Sequence, residues 1–255
     1  MSRAGASLLL LATLAFIAST LGFALHLNGT SPAHLTEMLT VPQLFAEGSP
    51  QVDLAGLFLH PRGPGMWALL AMTWAALVYY ALRGLIRGTG GDDAPLIAAL
   101  ALGAVGPWLI LSQPLLAFLL SVAMLAGLLA AALRGRGSDP APEAERGPPA
   151  GIARRSVLGF VAGWALLVCL SMLSGLLQMR LGLPQAAAAV IAILIGSVAA
   201  ASLQLRLGRP FGFSVALIWG LIGVAAGTVT SDISIATATV LAISIIAVVL
   251  VRVTT

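Results

Sequence analysis

Three histidines and one cysteine are the side chains in this sequence best suited to metal, haem or nucleophilic chemistry. His26, His34 and His60 could each ligate a metal, a haem or a chlorophyll through an imidazole nitrogen. No Cys/His spacing supports a metal site, however, and CxxCH is absent. All three lie at or beyond the end of the first apolar run, so interfacial solvation is their expected role. Cys169, alone inside another apolar run, excludes an internal disulfide and a multi-cysteine metal site. GxSxG, HExxH, a P-loop and a strand-coupled GxGxxG are all missing. No hydrolytic or phosphoryl-transfer machinery is visible, and the chain is not expected to be an enzyme. Asn28-Gly29-Thr30 matches a glycosylation sequon, which matters only in a secretory pathway.

The tryptophans are the stronger candidates. Trp67, Trp74, Trp108, Trp164 and Trp219 all fall in apolar segments. Trp67 and Trp108, with Tyr79 and Tyr80, lie near segment ends, where amphipathic rings anchor at the interface. Trp74, Trp164 and Trp219 lie deeper. A buried indole needs a partner for its N–H, found in a neighbouring helix or in a ligand.

The elements that must position these rings are set by composition. Hydrophobic residues make up 59% of the chain and charged ones only 9%, with a mean hydropathy of +1.03. Soluble domains run at about 45–50% apolar and about 25% charged. The excess must face lipid. Spanning the hydrocarbon takes roughly 20 apolar residues at about 1.5 Å each. Eight segments qualify or come close: Ser7–Leu27, Met66–Leu85, Pro95–Leu111, Pro114–Leu133, Val157–Gln178, Gln185–Gln204, Pro210–Val229 and Ile233–Val251. The third and fourth, joined only by Ser112 and Gln113, predict a tight hairpin. Pro114 and Pro210 suit first helical turns, and Ser231 or Asp232 can cap the eighth helix. The expected fold is an all-α polytopic bundle of about eight spans.

The thirteen basic residues are all arginine. A net charge of +4 and a pI near 10.6 raise the question of nucleic acid, but the arginines are scattered and build no patch. With the N-terminus inside, Arg3, Arg83, Arg87, Arg134, Arg136, Arg146, Arg154, Arg155, Arg206, Arg209 and Arg252 fall on the cytoplasmic side, and Arg62 and Arg180 outside. This is a positive-inside pattern with both termini cytoplasmic. It places the chain in a cell membrane as a multi-pass protein, with the bacterial inner membrane as the expected location. Arg3 and Leu8–Phe16 resemble the start of a signal peptide with a cleavage site near Ala24. The apolar run continues to Leu27, long enough to span, so retention is expected.

Two stretches are not spans. Residues 28–65 form an external loop with two short amphipathic candidates, after Ser31-Pro32 and over Asp53–His60, that can lie flat at the interface. Residues 134–155, rich in Pro, Gly, Ala and charge, predict a flexible cytoplasmic linker. It separates a four-helix half (1–133) from a second one (156–255), with no sequence repeat between them. Gly159/Gly163, Gly223/Gly227 and Gly196/Ala200 allow close helix contact. Packing within the bundle is the expected use, and a homodimer is the alternative. No ionisable residue lies inside a span away from its ends; Asp92, Asp93, Asp232, Arg83 and Arg252 all stand at boundaries. That argues against a proton pump, a voltage sensor or a carboxylate-lined channel.

Three stretches resemble the longer members of the translocator protein/tryptophan-rich sensory protein family, also called the peripheral benzodiazepine receptor family. HPRGPGMWALLAMTWAALVYY (His60–Tyr80) resembles its Pro/Gly-rich turn and aromatic helix of the type P-x-G-x-x-F-x-I-W-x-x-x-Y. LGFVAGWALLVCLSML (Leu158–Leu173) resembles a helix opened by a Gly-Trp pair. RPFGFSVALIWGLIGVA (Arg209–Ala225) resembles its aromatic-x-x-x-x-x-Trp-x-x-x-Gly helix. The family's Phe and Tyr around the second-helix tryptophan are absent, and either Trp67 or Trp74 stands as its equivalent. The resemblance implies a bundle with a pocket open to the external side, taking tetrapyrroles such as protoporphyrin or haem, or sterol-like amphipaths. Trp67, Trp74, Trp108, Trp164 and Trp219 are then the expected ligand-binding set, with the external loop as a lid. A transporter of a neutral small molecule and an accessory subunit of a larger membrane complex are the other readings.

Overall fold

The computed structural model describes residues 3–29, 58–59, 61, 64–87, 93–110, 112–134, 150–208, 211–228 and 232–254. Most of the external loop, including the stretch after Ser31-Pro32, and most of the interhelical linker lie outside these residues, as do His34, His60, Pro210 and Ser231. The described part is all helical: α1 (Arg3–Gly29), α2 (Pro64–Arg87), α3 (Ala94–Leu109), α4 (Pro114–Arg134), α5 (Ala150–Leu181), α6 (Gln185–Leu207), α7 (Gly212–Thr228) and α8 (Ile233–Thr254). Six of these are long and apolar enough to cross a membrane, which suits an integral, multi-pass membrane protein. The other two, α3 and α7, are apolar but have 16 and 17 residues. At 1.5 Å per residue each is about 25 Å long, a little short of a typical hydrocarbon core.

Helix lengths recur in order. The first four run 27, 24, 16 and 21 residues, and the last four 32, 23, 17 and 22. Packing partners recur as well. In each set the first helix packs on the second and third, and the third on the fourth, although the second also packs closely on the fourth in the second set and not in the first. The sets meet chiefly through α5, which packs against α2 and α4 as well as α6 and α7, with a smaller contact between α2 and α7. This makes α5 the axis of the bundle: 72% of its most apolar stretch is buried, against 33–39% for the other five long helices. From Leu158 to Cys169 every residue is buried, the mark of a helix apolar all round and surrounded by others. It also begins at Ala150, inside the stretch read as linker.

Glycine lets α7 approach this axis. A Cβ on Gly163 would stand 2.6 Å from the Phe213 carbonyl oxygen and 2.9 Å from the Ala216 Cβ, and one on Gly159 3.2 Å from the Phe213 nitrogen. The Gly159/Gly163 pair is thus consumed by the α5–α7 contact. Gly196 faces Leu170 and Gly223 faces Met66, whereas Gly227 opens on empty space. Phe58 and Leu59 form a turn buried to 4% and 2% exposure. Phe58 reaches into the bundle, where its ring would stand 3.1 Å from a Cβ on Gly220 of α7.

The ends are finished locally. Asp232 caps α8, its Oδ1 accepting from the Ser234 amide at 2.9 Å and the Ile235 amide at 3.4 Å. Thr228, Thr237, Thr239 and Ser244 donate to carbonyls four residues back, which leaves no hydroxyl hydrogen facing an apolar neighbour. At the α6–α7 turn Gly208 adopts φ +77°, a conformation glycine takes without a Cβ clash. Buried Gln204 donates to its carbonyl at 2.9 Å and accepts from Ser214 Oγ at 2.9 Å.

Candidate functional site

The five tryptophans occupy four helices, and their indole N–H groups divide them. Trp74 of α2 donates to Thr20 Oγ1 at 3.1 Å, joining α2 to α1. Thr20 in turn donates to the Phe16 carbonyl at 2.9 Å. Trp108 of α3 donates to the neighbouring Ser19 Oγ at 2.9 Å, and Ser19 donates to the Ala104 carbonyl. Its ring meets Phe23 edge-on at 5.6 Å and tilts toward His26 at 6.0 Å. Trp219 of α7 donates to the Gly65 carbonyl at 3.1 Å, tying α7 to the first turn of α2. Trp67 packs half-buried against the core. In three of the five, then, the polar handle fastens one helix to another, a use that satisfies the N–H inside an apolar bundle.

Trp164 differs. It is 2% exposed, the largest of the fully buried side chains. Its ring stands edge-to-face on Phe16, with centroids 5.9 Å apart and planes at 87°, the preferred geometry for paired aromatic quadrupoles. Its Nε1 has no hydrogen-bond partner among the described residues. Phe16 itself reaches Gly103 of α3, where Met124 of α4 also arrives. Helices α1, α3, α4 and α5 therefore converge near this ring.

An apolar groove of about 380 Å³ runs along the outside of α7, lined by Val215, Ile218, Trp219 and Ile222. Of the five candidate rings, Trp219 is the one that lines it. Sequence reasoning had singled out the ring but not the aliphatic residues at helical spacing beside it, which in an apolar helix carry no distinguishing signal.

A buried polar pair also escaped the sequence reading. Tyr80, near the end of α2, donates to Asp93 Oδ1 at 3.0 Å. Both are buried, at 6% and 2% exposure. Asp93 stands at a helix boundary as expected, but it lies inside the protein rather than in solvent. The signal was present in a tyrosine thirteen residues before an acidic residue across a short Gly-rich stretch of sequence. Cys169 is buried in α5, and among the described residues no three His, Cys, Asp or Glu side chains gather as a metal site. At the surface, Asp232 is held below the usual carboxylate range, first by the Ser234 hydroxyl and then by the Ser234 and Ile235 amides.

No protein-family model, curated protein or solved structure matches the chain.

Proposed function

We propose that this is an eight-span membrane protein with both termini in the cytoplasm, acting as a sensor, receptor or carrier for an apolar or amphipathic ligand such as a tetrapyrrole. The positive-inside arrangement of the arginines supports the topology. Residues Phe16 and Trp164 support the ligand reading, and the observation that carries it is the Trp164 N–H. A buried donor without an acceptor costs about 1–3 kcal/mol, and a ring nitrogen, carbonyl or carboxylate of a bound ligand offers one. Flat apolar rings pack favourably on aromatic faces and edges. The resemblance to the translocator family points to the same ligand class. The test is titration of detergent-purified protein with protoporphyrin IX, followed at the porphyrin absorption band. Saturable binding weakened by Trp164→Phe is expected. No saturable change, or equal affinity in the variant, overturns the reading.

A transporter of a neutral small molecule is the second reading. The recurring helix order favours it, since parallel structural repeats are common among transporters. Substrate-dependent flux in proteoliposomes distinguishes it from a receptor.

A further inference from the structure

Pro107 of α3 is the one proline that lies inside a described helix beyond its first turn. Proline has no N–H, so the carbonyl four residues back, on Gly103, loses its helical donor, and the ring crowds that turn. Gly103 and Gly106 stand in the same stretch and lower its resistance to bending further. In a membrane helix such a turn is tolerated where a neighbouring helix supplies hydrogen bonds to the loosened backbone. Here the supplier is α1. Ser19 donates to the Ala104 carbonyl, and its Oγ accepts from Trp108 Nε1 at 2.9 Å. A single hydroxyl thus holds both sides of Pro107 against α1.

Behind this latch lies the buried ring pair. One turn inward from Ser19, the edge of the Phe16 ring packs at Gly103, with Met124 of α4 in the same notch, and Phe16 meets Trp164. One turn outward, Phe23 packs on Trp108. The α1–α3 seam therefore runs about 10 Å from Phe23 down to Phe16, and all of these residues are among those described. Phe16 and Trp164 are buried to 1% and 2% exposure, so nothing reaches them unless helices part. We infer that the outer end of α3 is a gate, hinged at Gly103–Pro107 and latched by Ser19, whose opening along this seam admits a ligand to the Phe16–Trp164 pair. The ligand's part in this rests on the reading of Trp164 as its anchor, whereas the hinge and latch rest on the packing alone.

The test places a thiol behind the gate. Met124→Cys in a Cys169→Ala background, held in dioleoyl phosphatidylcholine nanodiscs, is reacted with 2-(trimethylammonium)ethyl methanethiosulfonate, whose fixed charge keeps it in water. Adding Ser19→Ala removes the latch and is expected to speed modification roughly three- to tenfold, the worth of about one hydrogen bond. Trp108→Phe, which keeps a ring and removes the N–H, is expected to act in the same direction. Pro107→Ala restores the helical donor and is expected to slow the reaction. A rate unchanged by Ser19→Ala or by Pro107→Ala, including no reaction in any of the proteins, overturns the inference. If Met124→Cys does not fold, hydrogen–deuterium exchange of the otherwise unaltered chain decides. Amides of residues 104–109 should then exchange faster in Ser19→Ala and slower in Pro107→Ala, and equal exchange in all three proteins overturns the gate. No porphyrin enters either experiment. A failed porphyrin titration therefore sinks the ligand reading and leaves the hinge and latch, whereas unchanged labelling sinks the gate and leaves the ligand reading.

Discussion

Phe16 of α1 and Trp164 of α5 meet edge-to-face, their centroids 5.9 Å apart, at the place where the first helix touches the axis of the bundle. The contact joins residues 148 positions apart in the chain (164 − 16) and buries both rings to 2% exposure or less. Phe16→Ala should therefore destabilise the protein by about 3–5 kcal/mol, the usual cost of emptying a buried phenyl site. Trp164→Phe should cost much less, because it keeps an aromatic ring and removes an N–H without a partner. Unfolding in mixed detergent, monitored by far-ultraviolet circular dichroism, ranks the two. Equal losses would show that the indole contributes something beyond its ring.

The two GxxxG pairs should behave differently. Gly163→Val pushes a branched side chain against the Phe213 carbonyl and Ala216, and separating α5 from α7 should lower the thermal midpoint sharply. A Cβ on Gly227 meets nothing within 4 Å among the described residues, so Gly227→Val should leave the midpoint of the purified protein nearly unchanged. Melting followed by size-exclusion chromatography reads both. A sensitive Gly227 would mean that a partner covers it.

Asp232 links the cap of α8 to pH. Its folded pKa is lowered from the ordinary 3.8, so the carboxylate contribution is fully present above that value. It is lost as pH falls through the lower, folded pKa. Asp232→Asn keeps a capping oxygen and should flatten this acid-side dependence while changing little at neutral pH. Thermal midpoints measured across the acidic range for both proteins test the sign. A wild-type profile that gains stability with acidification contradicts it.

Topology is read by labelling single cysteines in a Cys169→Ala background. Ser112 in the α3–α4 turn and Leu181 at the end of α5 are exposed and belong to the external side of the proposed arrangement. Ser112→Cys and Leu181→Cys should react with an impermeant maleimide on intact cells. Arg252→Cys, also exposed, should react only after permeabilisation. Labelling of all three from outside would remove the even span count.

The helices of this protein were legible in its sequence because an apolar run of membrane length has few alternatives. Hydrogen-bond satisfaction within lipid demands helix, so composition alone placed α1 to α8 within a few residues at most ends. The aromatic residues were legible as candidates for the same reason, standing out against aliphatic neighbours. Which of them share a partner was not legible, since helical periodicity is nearly silent when a helix is apolar on every face. Only the packing made α5 the axis, spent the N–H groups of Trp74, Trp108 and Trp219 on neighbouring helices and left that of Trp164 without an acceptor among the described residues. Only packing, too, drew Asp93 inside against Tyr80. The physical reason is the same in each case. Hydrophobicity decides that a segment enters the bundle, whereas the meeting of small residues, ring edges and hydrogen-bond donors decides which face of it turns toward which neighbour.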